Sequence, residues 1–434
     1  MRLAGRLAAA IEILADFDAR RAPLKTALAD WARGARFAGA KDRAWISGLC
    51  LDALRRRASL AAAMGEGAPR ALALGALRFL WRTPLADLAA AAAETPHGPG
   101  ALSEAERVAL APGELAVDGP LWARGDFPEW LAPEIERAFG PDAEAEMRAM
   151  AVRADVDLRL NTLRADPAKS LQALKTVGGV AHQALATGAR IVAPDPGERA
   201  PGVTVIPAFN KGWVEVQDAG SQVAALAAGP VKGAQALDYC AGGGGKTLAL
   251  AALMENAGQL YAYDVDPRRL TPVFHRAKRA GVRNLQIRSP AGGDGLDDLV
   301  GKMDVVLVDA PCSGSGTWRR HPDAKWRLTE KHLARRREEQ DAVLREAAAY
   351  VKPGGALIYV TCSILPSENQ DRAEAFLADA PFEPIDPAAG IYATGLVADG
   401  ALDAARGPSP FALQLTPRRF GSDGFYVAAF QRAA

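Results

Sequence analysis

Two cysteine segments and a glycine-rich turn hold the residues of this 434-residue chain whose types and spacing could do chemistry together. The first segment is Val308-Asp309-Ala310-Pro311-Cys312-Ser313-Gly314-Ser315-Gly316. The second is Tyr359-Val360-Thr361-Cys362-Ser363-Ile364-Leu365-Pro366. Each follows a β-like run, so each thiol is expected at the carboxyl edge of a sheet, where open α/β folds place their ligands. Upstream, Asp238-Tyr239-Cys240-Ala241-Gly242-Gly243-Gly244-Gly245-Lys246-Thr247 lies between a strand and a helix. Its four glycines let the backbone approach a ligand and aim helix-end N–H groups at a negative group. Asp264 ends the next strand, about twenty residues on, where a carboxylate can grip both ribose hydroxyls of a nucleoside. That spacing suits NAD and S-adenosylmethionine equally. A phosphate-binding loop is excluded, because it needs glycine where Cys240 stands.

Taken singly, each thiol reads as a buried strand-end cysteine. Taken together with Asp309, the segments point to one chemistry. Carbon 5 of cytosine is a poor nucleophile, but a thiolate added to carbon 6 makes it enamine-like and able to attack a methyl sulfonium. An acid near ring nitrogen 3 offsets the charge that develops there, a task that suits Asp309. A second group can then help to expel the thiolate. On residue types alone either cysteine could attack, and no metal is needed.

These residues must be positioned by the last of three differently patterned regions. The strand candidates Ala236–Tyr239, Leu260–Tyr263, Leu285–Ile287, Val305–Val308 and Ala356–Val360 alternate with helices over Gly245–Asn256, Asp266–Ala280 and Leu328–Val351. That alternation predicts a Rossmann-like α/β domain over 221–434. Residues 1–140 read as all-α, with Leu3, Leu7, Ile11 and Leu14, then Ile46, Leu49, Cys50 and Leu54, at helical spacing. Cys50 is accordingly a core thiol. Residues 141–220 read as a small α+β module, with Val156, Leu158 and Leu160 alternating, a helix from Pro167, and β-like runs at Val203–Ile206 and Trp213–Val216.

Composition bounds the rest. Fifty-two Lys and Arg against 51 Asp and Glu give a formal charge of +1, so any nucleic-acid surface must be local. The first 60 residues carry Arg2, Arg6, Arg20, Arg21, Lys25, Arg33, Arg36, Lys41, Arg43, Arg55, Arg56 and Arg57 against six acids, which fits a phosphate-facing patch or a solvated face equally. Four scattered cysteines, never in a C-x-x-C pair, exclude a disulfide scaffold and argue against structural zinc. No run is apolar enough to span a membrane, and the charged N-terminus does not read as a signal peptide. A cytoplasmic, monomeric protein is expected.

At these residues the chain resembles the RsmB-type branch of the Sun family of RNA cytosine-5 methyltransferases. The family's cofactor motif, D-x-C-A-A-P-G-G-K-T, is similar to Asp238–Thr247, with Gly242 and Gly243 replacing Ala-Pro. Tyr263-Asp264-Val265-Asp266-Pro267-Arg268-Arg269-Leu270 resembles its second motif. The resemblance implies S-adenosylmethionine as cofactor, held by Cys240, Ala241, Gly242, Gly243, Gly244, Gly245, Lys246, Asp264 and Asp309. It makes Cys362 the nucleophile and Cys312 the group that helps release product. The family's adenine-side acid falls near Pro290, and Asp294 is the expected substitute. Ser367 replaces a usual Glu, while Glu368 and Asn369 follow as the family has them.

The resemblance extends to Phe127–Leu131, Leu158–Asn161, Gly212–Asp218, Trp318–Trp326 and Gly421–Tyr426. It implies a NusB-like RNA-binding domain at the N-terminus and a small RNA-recognition-like (RRM-like) module before the catalytic domain. The substrate it implies is a cytidine in small-subunit (16S) rRNA. Trp318 and Trp326, among Arg319, Arg320, Lys325, Arg327, Lys331, Arg335, Arg336 and Arg337, suggest a surface that grips phosphates and stacks on unpaired bases. The rival readings are the same chemistry on tRNA, a catalytically silent RNA-binding or assembly factor, and a dehydrogenase. The last leaves both cysteine motifs without a role.

Overall fold

The computed structural model describes the chain except residues 199–201, 291–294 and 408. It divides into two compact units. The first comprises Met1–Arg153, a short stretch around Asp195, and Thr317–Leu328 from far along the chain. Its helices bury the apolar positions read from the sequence: Leu7, Leu14, Ile46, Leu49, Cys50 and Leu54 are essentially inaccessible. The opening helix, Leu3–Arg20, ends where Arg21 turns left-handed (φ 50°) and Pro23 follows. Further on, Ser103 and Glu106 form a reciprocal cap, with Ser103 Oγ accepting from the Glu106 N–H and the Glu106 carboxylate from the Ser103 N–H.

Thr317–Leu328 overturns one expectation. Trp318 is 1% exposed, and Trp326 Nε1 donates to the Leu54 carbonyl at 2.6 Å. Lys325 is buried and donates to the Arg55 carbonyl (3.2 Å), while the Asp323 carboxylate accepts the Leu24 N–H (3.1 Å). The tryptophans are therefore core of the helical unit and do not form a stacking platform for bases. Lys325 satisfies a helix-end carbonyl and Arg327 pairs with Asp323, an arrangement that sequence neighbours alone could not reveal. Trp318→Ala should accordingly cost about 3–5 kcal/mol of stability by cavity formation. Thermal unfolding checks this; a stable variant with weaker RNA binding would restore the stacking reading.

Lys325 also makes this unit pH-sensitive. Burial pushes its ammonium down to about 7, against the pull of Asp126 and with Arg55 and Arg56 adding repulsion. The unfolded chain then binds more protons than the folded one between about pH 7 and the ordinary lysine range. Lys325 therefore adds stability as pH rises through that window. Unfolding followed from pH 7 to 9 should show a rise that Lys325→Met removes.

The second unit holds the remaining residues. Strands β1 (Val156–Leu160), β2 (Val180–Ala181), β3 (Gly188–Ile191) and β4 (Val214–Val216) form an antiparallel sheet in the order β2-β3-β1-β4. Alternation along β1 sends Leu158 and Leu160 into a small core. Asp157, on its other face, accepts from Arg190 Nε (2.7 Å) and the Ala219 N–H (3.1 Å). The run Val203–Ile206 is not a strand. Val203–Val205 is a 3₁₀ turn leading into the helix Pro207–Asn210, because Pro207 opens the helix before a strand can extend.

Among the described residues the larger sheet has eight strands. They are β5 (Gln235–Asp238), β6 (Gln259–Tyr263), β7 (Leu285–Arg288), β8 (Met303–Asp309), β9 (Val351–Thr361), β10 (Phe382–Ile385), β11 (Ala412–Leu415) and β12 (Phe425–Arg432). Their order is β10-β12-β9-β8-β5-β6-β7, with β11 against β12. Strands β5 to β9 are parallel, and β10 to β12 pair antiparallel. Both faces are covered: Val305, Leu307, Ile358 and Val360 enter one core, and Val306, Val308, Leu357 and Tyr359 the other. Near-continuous apolar runs follow from that double burial. The helices read over Gly245–Asn256, Asp266–Ala280 and Leu328–Val351 form as Gly245–Leu253, Pro267–Ala280 and Glu330–Ala348. The sheet order makes β5, β8 and β9 neighbours, so their carboxyl ends share one edge.

Candidate active site

The turn after β5 is shaped by its glycines. Gly242 (φ 51°) and Gly244 (φ 78°) lie in the left-handed region, and a Cβ on Gly244 would meet Val273 Cγ2 at 3.0 Å. Gly242 in place of the family's Ala thus suits the conformation found. A Cβ on Gly245 would meet nothing within 4 Å, so the helix N-terminus faces open space. The Gly242 N–H donates to Asp264 Oδ2 at 3.0 Å, which ties the turn to the end of β6. Asp264 is buried, accepts the Asp266 N–H at 3.0 Å and pairs with Arg269 at 3.2 Å. Open glycine turn, helix N-terminus and adjacent carboxylate fit a nucleoside cofactor carrying a carboxylate.

Asp238, at the end of β5, is fully buried; its Oδ2 accepts from Thr247 Oγ1 at 2.6 Å. Burial raises its carboxyl to about 7, partly opposed by that hydrogen bond. Burial likewise pushes the Cys240 thiol well above its ordinary value, so Cys240 is a neutral wall of the turn. Ala241 is buried beneath it, and Gly243 receives Arg276 Nη1 on its carbonyl at 2.5 Å.

Lys246 reaches from the first turn of the helix to Asp309 Oδ2, 2.6 Å away. Burial works against the ammonium, but Asp309, and then Cys362 and Asp238, outweigh it and raise its pKa. The Lys246 ammonium also lies 5.2 Å from the centroid of the Phe425 ring. Asp309 ends β8 with about a third of its side chain exposed.

The Ala310 N–H donates to the Val360 carbonyl (2.9 Å) and the Gly316 N–H to the Cys362 carbonyl (2.9 Å), which fastens the two cysteine segments together. Cys312 Sγ and Cys362 Sγ are 3.4 Å apart. Cys312 is pushed well above the ordinary thiol range, first by its hydrogen bond to Cys362, then by burial and by the charge of Glu368. One thiol held neutral beside another that lies near an ammonium can support nucleophilic attack and assisted release as separate tasks.

The structure thus brings together Cys240, Ala241, Gly242, Gly243, Gly244, Gly245, Lys246, Asp264, Asp309, Cys312 and Cys362. Asp294 lies outside the described residues. Sequence reasoning gave no role to Glu368, Ser313, Ser363, Gln340 or Phe425. One signal was present: Cys312 and Cys362 are each followed directly by serine, and both serines bond to Glu368. Among the described residues there is no cluster of three metal-binding side chains, and no helix long and apolar enough to cross a membrane.

Residues 225–431 match the family model described as "16S rRNA methyltransferase RsmB/F". The ribosomal RNA small subunit methyltransferase B of Enterobacter sp. (strain 638) is 35% identical over 255 residues, 58% of this chain and 57% of that protein. Its counterpart from Citrobacter koseri is 31% identical over 312 residues, covering 70% and 66%. The chain therefore spans between about half and two thirds of the length of these relatives. Among solved structures, PH0851 covers 100% of this chain and 99% of its own at 24% identity, with a TM-score of 0.72. A methyltransferase homologue from Pyrococcus horikoshii covers 72% and 97% at 26% identity, with a TM-score of 0.56. Through residues 225–431, this chain is similar to the RsmB/F family of 16S rRNA methyltransferases.

Proposed function

We propose that this protein transfers a methyl group from S-adenosylmethionine to carbon 5 of a cytidine in small-subunit rRNA, through a covalent adduct between Cys362 and carbon 6. The observation that carries this reading is the pair of thiols 3.4 Å apart on adjacent strand ends, beside the Lys246–Asp309 ion pair. Bound S-adenosylmethionine supplies the electrophilic methyl group. Cys362, which interacts with the Lys246 ammonium, attacks carbon 6. Asp309, partly exposed and held by Lys246, faces the ring edge where charge develops. Elimination then passes the carbon 5 proton to water as the carbon 6–Cys362 bond breaks, and Cys312, kept protonated, supplies a proton to the departing Cys362 sulfur. The base must leave any stack to reach this recess.

In this reading residues 1–140 are a NusB-like RNA-binding domain, 141–220 an RRM-like module and 221–434 the methyltransferase domain. Arg21, Lys25, Arg36 and Lys41 on the helical region are exposed and suited to phosphates. The cofactor half has its own expected result. Asp264→Ala removes a charged acceptor for ribose hydroxyls and should weaken S-adenosylmethionine binding about 10- to 100-fold, read by titration calorimetry; unchanged affinity would remove Asp264 from the cofactor site.

The whole reading is tested by incubating the protein with labelled S-adenosylmethionine and unmodified 16S rRNA or tRNA, then resolving the labelled nucleosides. Label in 5-methylcytosine of 16S rRNA is expected. Label in tRNA alone would overturn the substrate, label on another nucleoside the chemistry, and no label in either RNA the enzymatic reading.

A further inference from the structure

Both cysteine turns converge on one buried carboxylate. Glu368 is wholly inaccessible, yet four uncharged donors point at it. Its Oε1 accepts the Ser313 N–H at 2.7 Å and Gln340 Nε2 at 3.1 Å; its Oε2 accepts Ser313 Oγ at 2.5 Å and Ser363 Oγ at 2.6 Å. Ser313 follows Cys312 and Ser363 follows Cys362. Gln340 also donates to the Pro311 carbonyl at 2.9 Å, and Tyr359 Oη donates to the Glu368 carbonyl at 2.6 Å. A group that receives only donors is an acceptor, so this site is built for the ionised carboxylate.

We propose that Glu368 is a positioning residue for the two-cysteine reaction, clamping both thiol-bearing turns to one carboxylate and setting its negative charge beside Cys312. The inference rests on the functional reading above and deepens it. The geometry gives the two thiols different company. Cys362 interacts with the Lys246 ammonium, which is itself paired to Asp309. Cys312 interacts with Glu368, whose main-chain carbonyl accepts from Tyr359. A thiol beside an anion is held protonated, the state that assisted release asks of Cys312. Glu368 therefore fixes the distance between the thiols and also separates the attacking thiol from the releasing one. Burial leaves the Glu368 carboxyl raised, with the hydrogen bonds from Ser313 and Ser363 opposing part of that rise.

The test uses the full chain and needs no RNA for its first half. Iodoacetamide labelling of Cys312 and Cys362 is followed across pH by peptide mass spectrometry in wild type, Glu368→Gln and Glu368→Asp. In Glu368→Gln the labelling midpoint of Cys312 should move to lower pH. Methyl transfer should fall about 10- to 100-fold in kcat with an unchanged KM for S-adenosylmethionine, and Glu368→Asp should recover part of both. Wild-type labelling and turnover in Glu368→Gln would overturn the proposal. If Glu368→Gln fails to fold, Ser363→Ala decides: slower turnover with normal cofactor affinity supports the clamp, and a wild-type rate refutes it. Absence of transfer by wild type itself would count against the functional reading alone, since the labelling profile still decides the role of Glu368.

Discussion

Cys362→Ala should abolish methyl transfer, by a factor of about 10⁴ or more, while leaving S-adenosylmethionine affinity within about twofold of wild type. The size of the effect follows from the substrate. Without an adduct at carbon 6, carbon 5 of cytosine has too little electron density to attack a methyl group, so positioning alone rescues little. Cofactor affinity should survive because the turn Cys240–Lys246 and Asp264 are fastened to each other independently of β9, through the Gly242 N–H and the Asp264 carboxylate. Single-turnover transfer and calorimetric titration check the two halves. A variant that kept a tenth of wild-type activity would show that the attacking group is elsewhere.

Cys312→Ala should behave differently. Attack by Cys362 and methyl transfer both remain possible, but the adduct loses the thiol that assists its breakdown. A protein–RNA species stable to denaturing electrophoresis is expected to accumulate, with multiple turnover reduced at least about 100-fold and the first turnover largely preserved. The 3.4 Å between the two sulfurs makes the direct role plausible, since a proton can pass between them without an intervening group. Free product released at the wild-type rate would contradict this division of labour.

The catalytic region was legible because its chemistry lies where chain pattern is strongest. Each site residue follows an apolar run that could only be a strand buried on both faces, so Asp309, Cys312 and Cys362 could be set at a sheet edge before their neighbours were known. Their convergence depended on the strand order β9-β8-β5, which local patterning does not encode and the fold supplies. Trp318 and Trp326 show the opposite case. Aromatic and basic residues interleave both on RNA-facing surfaces and in segments that pack against helices distant in sequence, and only the contact with Leu54 and Arg55 separates the two. Glu368 was visible as a residue but not as a hub, because burial of a carboxylate leaves no mark in sequence. Val203–Ile206 misled because four β-branched or apolar residues before a proline start a helix as readily as a strand.

The central claim is that Cys362 carries the covalent adduct to the methylated base. The most direct measurement is peptide mapping by mass spectrometry of the species trapped by Cys312→Ala on unmodified 16S rRNA. A cytidine mass increased by one methyl group, attached to the peptide bearing Cys362, is the expected result. Attachment to any other residue, or a Cys312→Ala protein that forms no adduct while still methylating RNA, would contradict it.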